Sequence, residues 1–226
     1  MNLIRNFLAL IGLIVIIGII FAIVRYEPVV QDLKPLAMAF NGLSVEQKGK
    51  VRTLVGDMNK AIQSGTYDDG ALDTYLNMAS TLFETGKSAD ATVWKIKVDE
   101  GLSAEEVEET MKFVANEHNI KNVGELPLYK EIEAMSGQKS RFLKIYMFCN
   151  AMTALKMLDY SDAFSAYLPC RVAMVEDKDG QLWLFSLDMD MMIHGGEKLP
   201  PELKEEAEGV KEIIQDIMNR GATGEF

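Results

Sequence analysis

Basic residues are scarce in this chain: 23 Lys and Arg stand against 34 Asp and Glu, a formal net charge of −11. No basic stripe is present, and nucleic acid, whose phosphates demand clustered Lys and Arg, is excluded as a general partner. Walker loops, dinucleotide fingerprints, zincin motifs and haem-attachment motifs are all lacking, so no catalytic residue and no cofactor can be assigned. Internal repeats and low-complexity tracts are also absent. Cysteine is limited to Cys149 and Cys170. Three readings stay open for them: two buried free thiols, a structural disulfide, or a redox or metal pair. A disulfide requires Cα atoms within about 7 Å, which spacing along the chain does not decide.

What is present is ordinary for a folded protein. Hydrophobic residues make up 48% and charged residues 25% of the 226 positions, which argues against disorder. The length suits one domain with an extension. Phe7 to Val24 is an uncharged run rich in Ile and Leu, bounded by Arg5 and Arg25. At about 1.5 Å per residue it matches the hydrocarbon thickness of a bilayer. A cleaved signal peptide would have a shorter apolar core and a small-x-small cleavage site, and Phe21-Ala-Ile-Val-Arg25 offers none. The run reads as an uncleaved single-pass anchor in the inner (cytoplasmic) membrane. Flanking charge is nearly tied; the short N-terminal tail favours a signal anchor with a periplasmic body.

Three regions follow: an anchor at 1–26, a helical hairpin or stalk at 27–89, and an α+β domain at 90–226. In the second, Ser44-Val-Glu-Gln47 has capping-box spacing. A further helix from about Gly70 to Thr85 carries Leu72, Leu76, Ala79 and Phe83 on one stripe, with Gly86 as its cap. In the third, Thr92 to Val98 alternates as a half-buried strand. Ser103 with Glu106 forms a second capping box, and Leu102 with Val107 a hydrophobic staple. Arg141 to Cys149 is a strand with two apolar faces, which implies cover on both sides. After a short helix, Tyr167 to Leu187 reads as two strands joined by a turn at Asp179-Gly180. Glu176, Asp177 and Asp179 make that turn acidic and, on this reading, solvated. A terminal helix starts at Pro200-Pro201 and stops at Gly221.

The residues Phe148-Cys-Asn150, Leu168-Pro-Cys-Arg171, Val175-Glu-Asp177, Asp179-Gly180 and Leu182-Trp183 resemble the signature of the domain of unknown function 302 family, over roughly residues 90–195. The resemblance implies a two-layer α+β sandwich, an antiparallel-rich sheet backed by helices, and a tendency towards dimers. It implies no settled activity.

Two groups of candidate site residues remain. Met189, Met191, Met192 and His194 bring thioether and imidazole donors, suited to copper, into six residues. Cys149 or Cys170 adds a soft ligand if the fold brings it near, and haem ligation draws on the same residue types. Methionine is equally a filler of cores. Asn150 and Arg171 flank the two cysteines, and with Tyr146 and Trp183 as walls they mark a candidate pocket. The expectation is a membrane-anchored, non-catalytic accessory or binding subunit, with a protein partner or a second copy docked on it. The alternative is a periplasmic redox or metal-binding protein, with copper or haem held by Cys149, Cys170 and the Met189–His194 segment.

Overall fold

The computed structural model describes residues 41–226. The anchor expected at Phe7 to Val24 lies outside the described residues. Among the described residues no helix is long and apolar enough to cross a membrane. The chain divides into two compact units, Met1–Lys60 and Ala61–Phe226.

Helix α1 (Val45–Gln63) begins with the predicted capping box: Ser44 N–H donates to Gln47 Oε1, and Gln47 N–H to Ser44 Oγ. Helix α2 (Ala71–Thr85) ends at Gly86, whose φ of 68° lets its N–H reach back to the Leu82 carbonyl. Its predicted stripe is not a core face. Leu72, Leu76 and Phe83 are exposed, Phe83 by 66%, and only Ala71 at the first turn is buried.

Five strands form one antiparallel sheet: β1 (Val93–Lys97), β2 (Lys121–Leu126), β3 (Leu143–Cys149), β4 (Cys170–Glu176) and β5 (Leu182–Leu187), in the order β1-β5-β4-β3-β2. The β4–β5 hairpin thus occupies the middle of the sheet. Its turn uses Gly180 at φ 84°. The turn is solvated as its acidity suggests, with Lys178 to Gly180 exposed, and Asp177 orders it by accepting from Asp179 N–H, Gln181 N–H and Trp183 Nε1. Strand β2 is an edge strand with a register shift between Asn122 and Gly124.

Strand register sorts side chains onto two faces. Trp94, Ser186, Val172 and Tyr146 line up across the sheet on one face, followed by Ile96, Leu184, Met174 and Lys144. The core lies on this face. Helix α3 (Ala104–Glu117) contributes Val107, Met111 and Val114, and the terminal helix, which runs from Pro201 to Thr223, contributes Leu203, Ile214, Ile217 and Met218. Between these elements stand α4 (Leu128–Ser136), α5 (Ala151–Tyr160) and the one-turn α6 (Asp190–His194), so the terminal helix is α7. The opposite face carries Leu143, Ile145, Met147, Val175, Trp183 and Phe185, all partly exposed and none packed into the core.

Gly221 does not stop α7, as its position after the apolar stripe suggested. The helix continues to Thr223 and is capped by Gly224 at φ 72°. Gly221 is small because a helix crosses there: a Cβ would stand 2.5 Å from Met111 Cγ and 3.5 Å from Leu184 Cδ1. Met111 and Leu184 are both fully buried and have little room to yield. Gly221→Leu is expected to lower the unfolding free energy by about 2 kcal/mol through overpacking. Gly209→Ala on the same helix meets nothing within 4 Å and is expected to gain about 0.5–1 kcal/mol from helix propensity. Denaturant unfolding of both variants checks the pair, and equal stabilities would refute the packing account.

Candidate functional site

Strand β3 ends beside the start of β4, with Phe148 opposite Cys170. Cys149 is the last residue of β3, and Asn150 caps α5 by accepting from the backbone N–H groups of Met152 and Thr153. Strand β5 also stops at this end of the sheet, and the turn after it delivers Met189 and Met192. The result is a cavity of about 30 Å³ lined by Cys149, Asn150, Thr153, Cys170, Met189 and Met192, with apolar residues of α5 and α7 completing the wall. That volume admits one water or one ion and is far too small for a porphyrin.

Both cysteines are free. Burial pushes the Cys170 thiol up to about 11, with a further rise from the neighbouring Cys149; burial also raises Cys149. Each is therefore held as a neutral thiol near pH 7. The polar groups of the wall are already engaged. Asn150 is used as the helix cap, and Thr153 Oγ1 donates to Glu206 Oε2 at 3.2 Å. Among the described residues no three His, Cys, Asp or Glu side chains group as metal ligands. The residues that line the cavity include two thiols, Cys149 and Cys170, and three thioethers, Met157, Met189 and Met192.

The other candidate residues lie elsewhere. Met191 is exposed and faces two open recesses of about 310 and 300 Å³ on either side of α6. In the first of these Asp188 is half-buried, and burial raises its carboxyl above the usual range. Arg171 lines a neighbouring recess with Cys170 and Met189, outside the sulfur-lined cavity. Trp183 stands near the turn end of β5, held by Asp177 Oδ2 at 2.8 Å, with Lys95 Nζ 4.1 Å above its ring. Tyr146 is fully buried on the helix-facing side, and its hydroxyl donates to Glu108 Oε2 at 2.7 Å.

His194 is engaged in a contact that local sequence gave no sign of. Its Nδ1 lies 3.1 Å from Asp68 Oδ1, while Asp68 Oδ2 accepts from Lys204 Nζ at 2.5 Å and Oδ1 also accepts from Gly70 N–H. His194 Nε2 stands 3.9 Å from Glu208 Oε1. Burial pushes the Asp68 carboxyl up, but the bonds from Lys204, Gly70 and His194 outweigh it, and the group sits below its ordinary range. Around this cluster Asp68 N–H donates to the Gly196 carbonyl, Lys198 N–H to Thr66, and the Tyr75 hydroxyl to Gly195 at 2.6 Å. The arrangement is a clasp that fixes the start of α2 to the turn after α6.

A family model for the domain of unknown function DUF302 matches residues 94–221, more than half of the chain. The chain belongs to the DUF302 family. Its DUF302 domain includes Cys149, Cys170, Met189, Met192 and His194, whereas Asp68 precedes the matched residues. A similar solved structure is that of an uncharacterized conserved DUF302 protein from Bacillus stearothermophilus, with a TM-score of 0.47 and 16% identity over 57% of this chain and 97% of that one. No curated protein matches the chain.

Proposed function

We propose that this DUF302 protein is a membrane-anchored, non-catalytic accessory module that docks another protein chain on the uncovered face of its sheet. One observation carries the reading. Leu143, Ile145, Met147, Val175, Trp183 and Phe185 line up across β3, β4 and β5, while the core and the helices α3 and α7 lie on the other face. A contiguous apolar surface of this kind, with Trp183 and Phe185 along its β5 side, has the composition of a protein interface. Lys95 lies across Trp183 and Phe185, which keeps the aromatic rings partly wetted until a partner displaces it. The exposed Leu72, Leu76 and Phe83 of α2 offer a second apolar strip.

The anchor is Phe7 to Val24, in the inner membrane, with the body on the periplasmic side; the length and composition of that run support it. The occupant of the sheet face is another subunit of a membrane-associated complex or a second copy of this chain. A photo-crosslinking residue at Ile145, in protein expressed in its own membrane, is expected to give one discrete product. Phe185→Glu is expected to cut its yield at least tenfold without unfolding the domain, because Phe185 lies outside the core. Recovery of a lone, uncrosslinked monomer in mild detergent would sink the proposal.

A further inference from the structure

We propose that the recess between the 3₁₀ turn after α5 and the turn after α6 binds a small organic cation bearing a methylated ammonium group. Tyr75, Tyr160, Phe164 and Tyr167 are its aromatic walls and Glu197 its counter-charge. The inference stands apart from docking on the sheet face and rests on different residues. Helix α5 ends at Tyr160, and the chain continues as a 3₁₀ turn over Asp162–Tyr167. Residues three apart in such a turn lie one above the other, which brings Phe164 and Tyr167 to the same recess. Their ring centroids are 6.2 Å apart, and those of Tyr160 and Phe164 are 6.0 Å apart. The planes are tilted by 48° and 41°, so the three rings make a bent wall. Tyr75 of α2 lines the same recess, with its hydroxyl fixed on the Gly195 carbonyl at 2.6 Å. The volume of about 300 Å³ suits a compact ligand.

An aromatic face attracts a cation because the ring quadrupole is negative there, and the attraction reaches about 6 Å from the centroid. Rings at the observed spacing present several faces to one ammonium group. Methylation weakens the hydration of that group, so it leaves water for an aromatic recess more readily than a bare ammonium does. Glu197 is exposed, and its backbone is tied to Tyr67 by a β-bridge. One carboxylate does not satisfy calcium or magnesium, which take about six to eight oxygen ligands. Among the described residues that line the recess none is basic, so nothing there recruits an anion. Tyr167 and Met191 also line the adjoining recess, where Asp90 and Asp188 stand. In a chain of net charge −11 the surrounding field favours a cation. The walls are held in place: Asp68 N–H donates to the Gly196 carbonyl and Lys198 N–H to Thr66, which fixes α2 and its Tyr75 beside the turn after α6.

The test uses the full chain in a maltoside detergent, which carries no ammonium group, with choline as the probe. Saturation transfer to the choline N-methyl protons reads binding, and a titration gives the affinity. Choline is expected to bind with a Kd of about 1 mM. Its uncharged carbon isostere, 3,3-dimethylbutanol, should bind at least tenfold more weakly, a comparison that needs no variant to fold. Glycerophosphocholine sets a phosphate beside the same group and should also bind at least tenfold more weakly, because Glu197 repels it. Tyr160 and Tyr167 are each 39% exposed, so their replacement spares the core. Tyr160→Leu and Tyr167→Leu are each expected to weaken binding about tenfold, whereas Tyr167→Phe, which keeps the ring, changes it less than twofold. Glu197→Gln should weaken binding about fivefold and reduce its dependence on salt. Absence of saturation transfer at ten times the expected Kd, or equal affinity for choline and its uncharged isostere, would overturn the assignment. Equal affinity for glycerophosphocholine would overturn the free cation in favour of a lipid headgroup.

Discussion

Asp68→Ala is expected to lower the unfolding free energy by about 3 kcal/mol and to free the start of α2 from the rest of its unit. The Asp68 side chain is only 3% exposed, and its carboxylate accepts three hydrogen bonds, from His194, Lys204 and Gly70. Truncation orphans the Gly70 N–H and strips the counter-charge from Lys204. Removing one partner of a buried pair typically costs about 3–5 kcal/mol. The lower figure applies because Lys204 is partly exposed and can regain water. Asp68→Asn keeps the size and an acceptor for Gly70 N–H while removing the charge, and should cost about half as much. Hydrogen exchange supplies the local readout: amide protection near residues 66–75 should fall well before that of β3 to β5. Uniform loss of protection across the sheet would contradict the clasp, as would unchanged protection in Asp68→Ala. The sign with pH follows from the lowered carboxyl. The stability contributed by Asp68 is fully present above the unfolded value of 3.8 and is lost as pH falls through the lower folded value.

That clasp also shows where sequence reasoning runs out. His194 stood beside three methionines in the chain, and proximity in sequence suggested a shared ligand set. The fold instead joins it to a residue 126 positions earlier, and no periodic pattern relates those two positions. The methionines divide for the same reason: α6 is a single turn, so Met189 and Met192 face the cavity while Met191, on another side, faces open recesses. Where a signal was local it was legible. Ser103 with Glu106 forms the expected capping box, Asp179-Gly180 forms the hairpin turn, and the alternation of Arg141 to Cys149 correctly gave a strand with two apolar faces. That alternation could not say what covers the second face. Gly221 was misread because a glycine after an apolar stripe looks like a helix stop, whereas its cause is the close approach of Met111.

That Cys149 and Cys170 come to the same end of the sheet was partly legible, through order alone. A strand ending in Cys149, a short helix, and a hairpin beginning at Cys170 must return the second cysteine towards the first if the two strands pair. They do pair, with Phe148 opposite Cys170. Two features of this domain thus lie apart on the same sheet. The sulfur-lined cavity occupies one end, on the helix side of β4. The uncovered apolar surface occupies the opposite face, with Trp183 and Phe185 on β5. A chain seated on the second need not block the first.

Glu108 is expected to make the acid stability of the domain strongly pH-dependent. It lies on α3 and meets Lys112 at 2.5 Å, Lys144 at 2.7 Å and the buried Tyr146 hydroxyl at 2.7 Å. Glu125 on β2 closes the square, 2.6 Å from each lysine. Lys144 is 13% and Glu108 20% exposed, so this pair is largely shielded from water, while Lys112 and Glu125, at 36% and 30%, are partly solvated. Burial raises the Glu108 carboxyl, but the bonds from Lys112, Lys144 and Tyr146 outweigh it and hold the group at about 2, against an ordinary 4.5. The same cause moves Glu125 down and both lysines up, and burial together with the Glu108 carboxylate pushes the Tyr146 phenol up. A depressed carboxyl contributes stability above its unfolded value and loses it as pH falls through its folded one. The expected contribution is about 3 kcal/mol at neutral pH, declining between pH 4.5 and about 2. Glu108→Gln is expected to remove most of that contribution at pH 7 and to flatten the acid limb of the stability curve. Tyr146→Phe, which deletes one bond but no charge, should cost about 1–2 kcal/mol and shrink the acid limb without abolishing it, because Lys112 and Lys144 still hold the carboxyl low. Denaturant unfolding of the three proteins from pH 7 to 2.5 decides it: parallel curves for wild type and Glu108→Gln would mean that the network carries no pH-dependent stability.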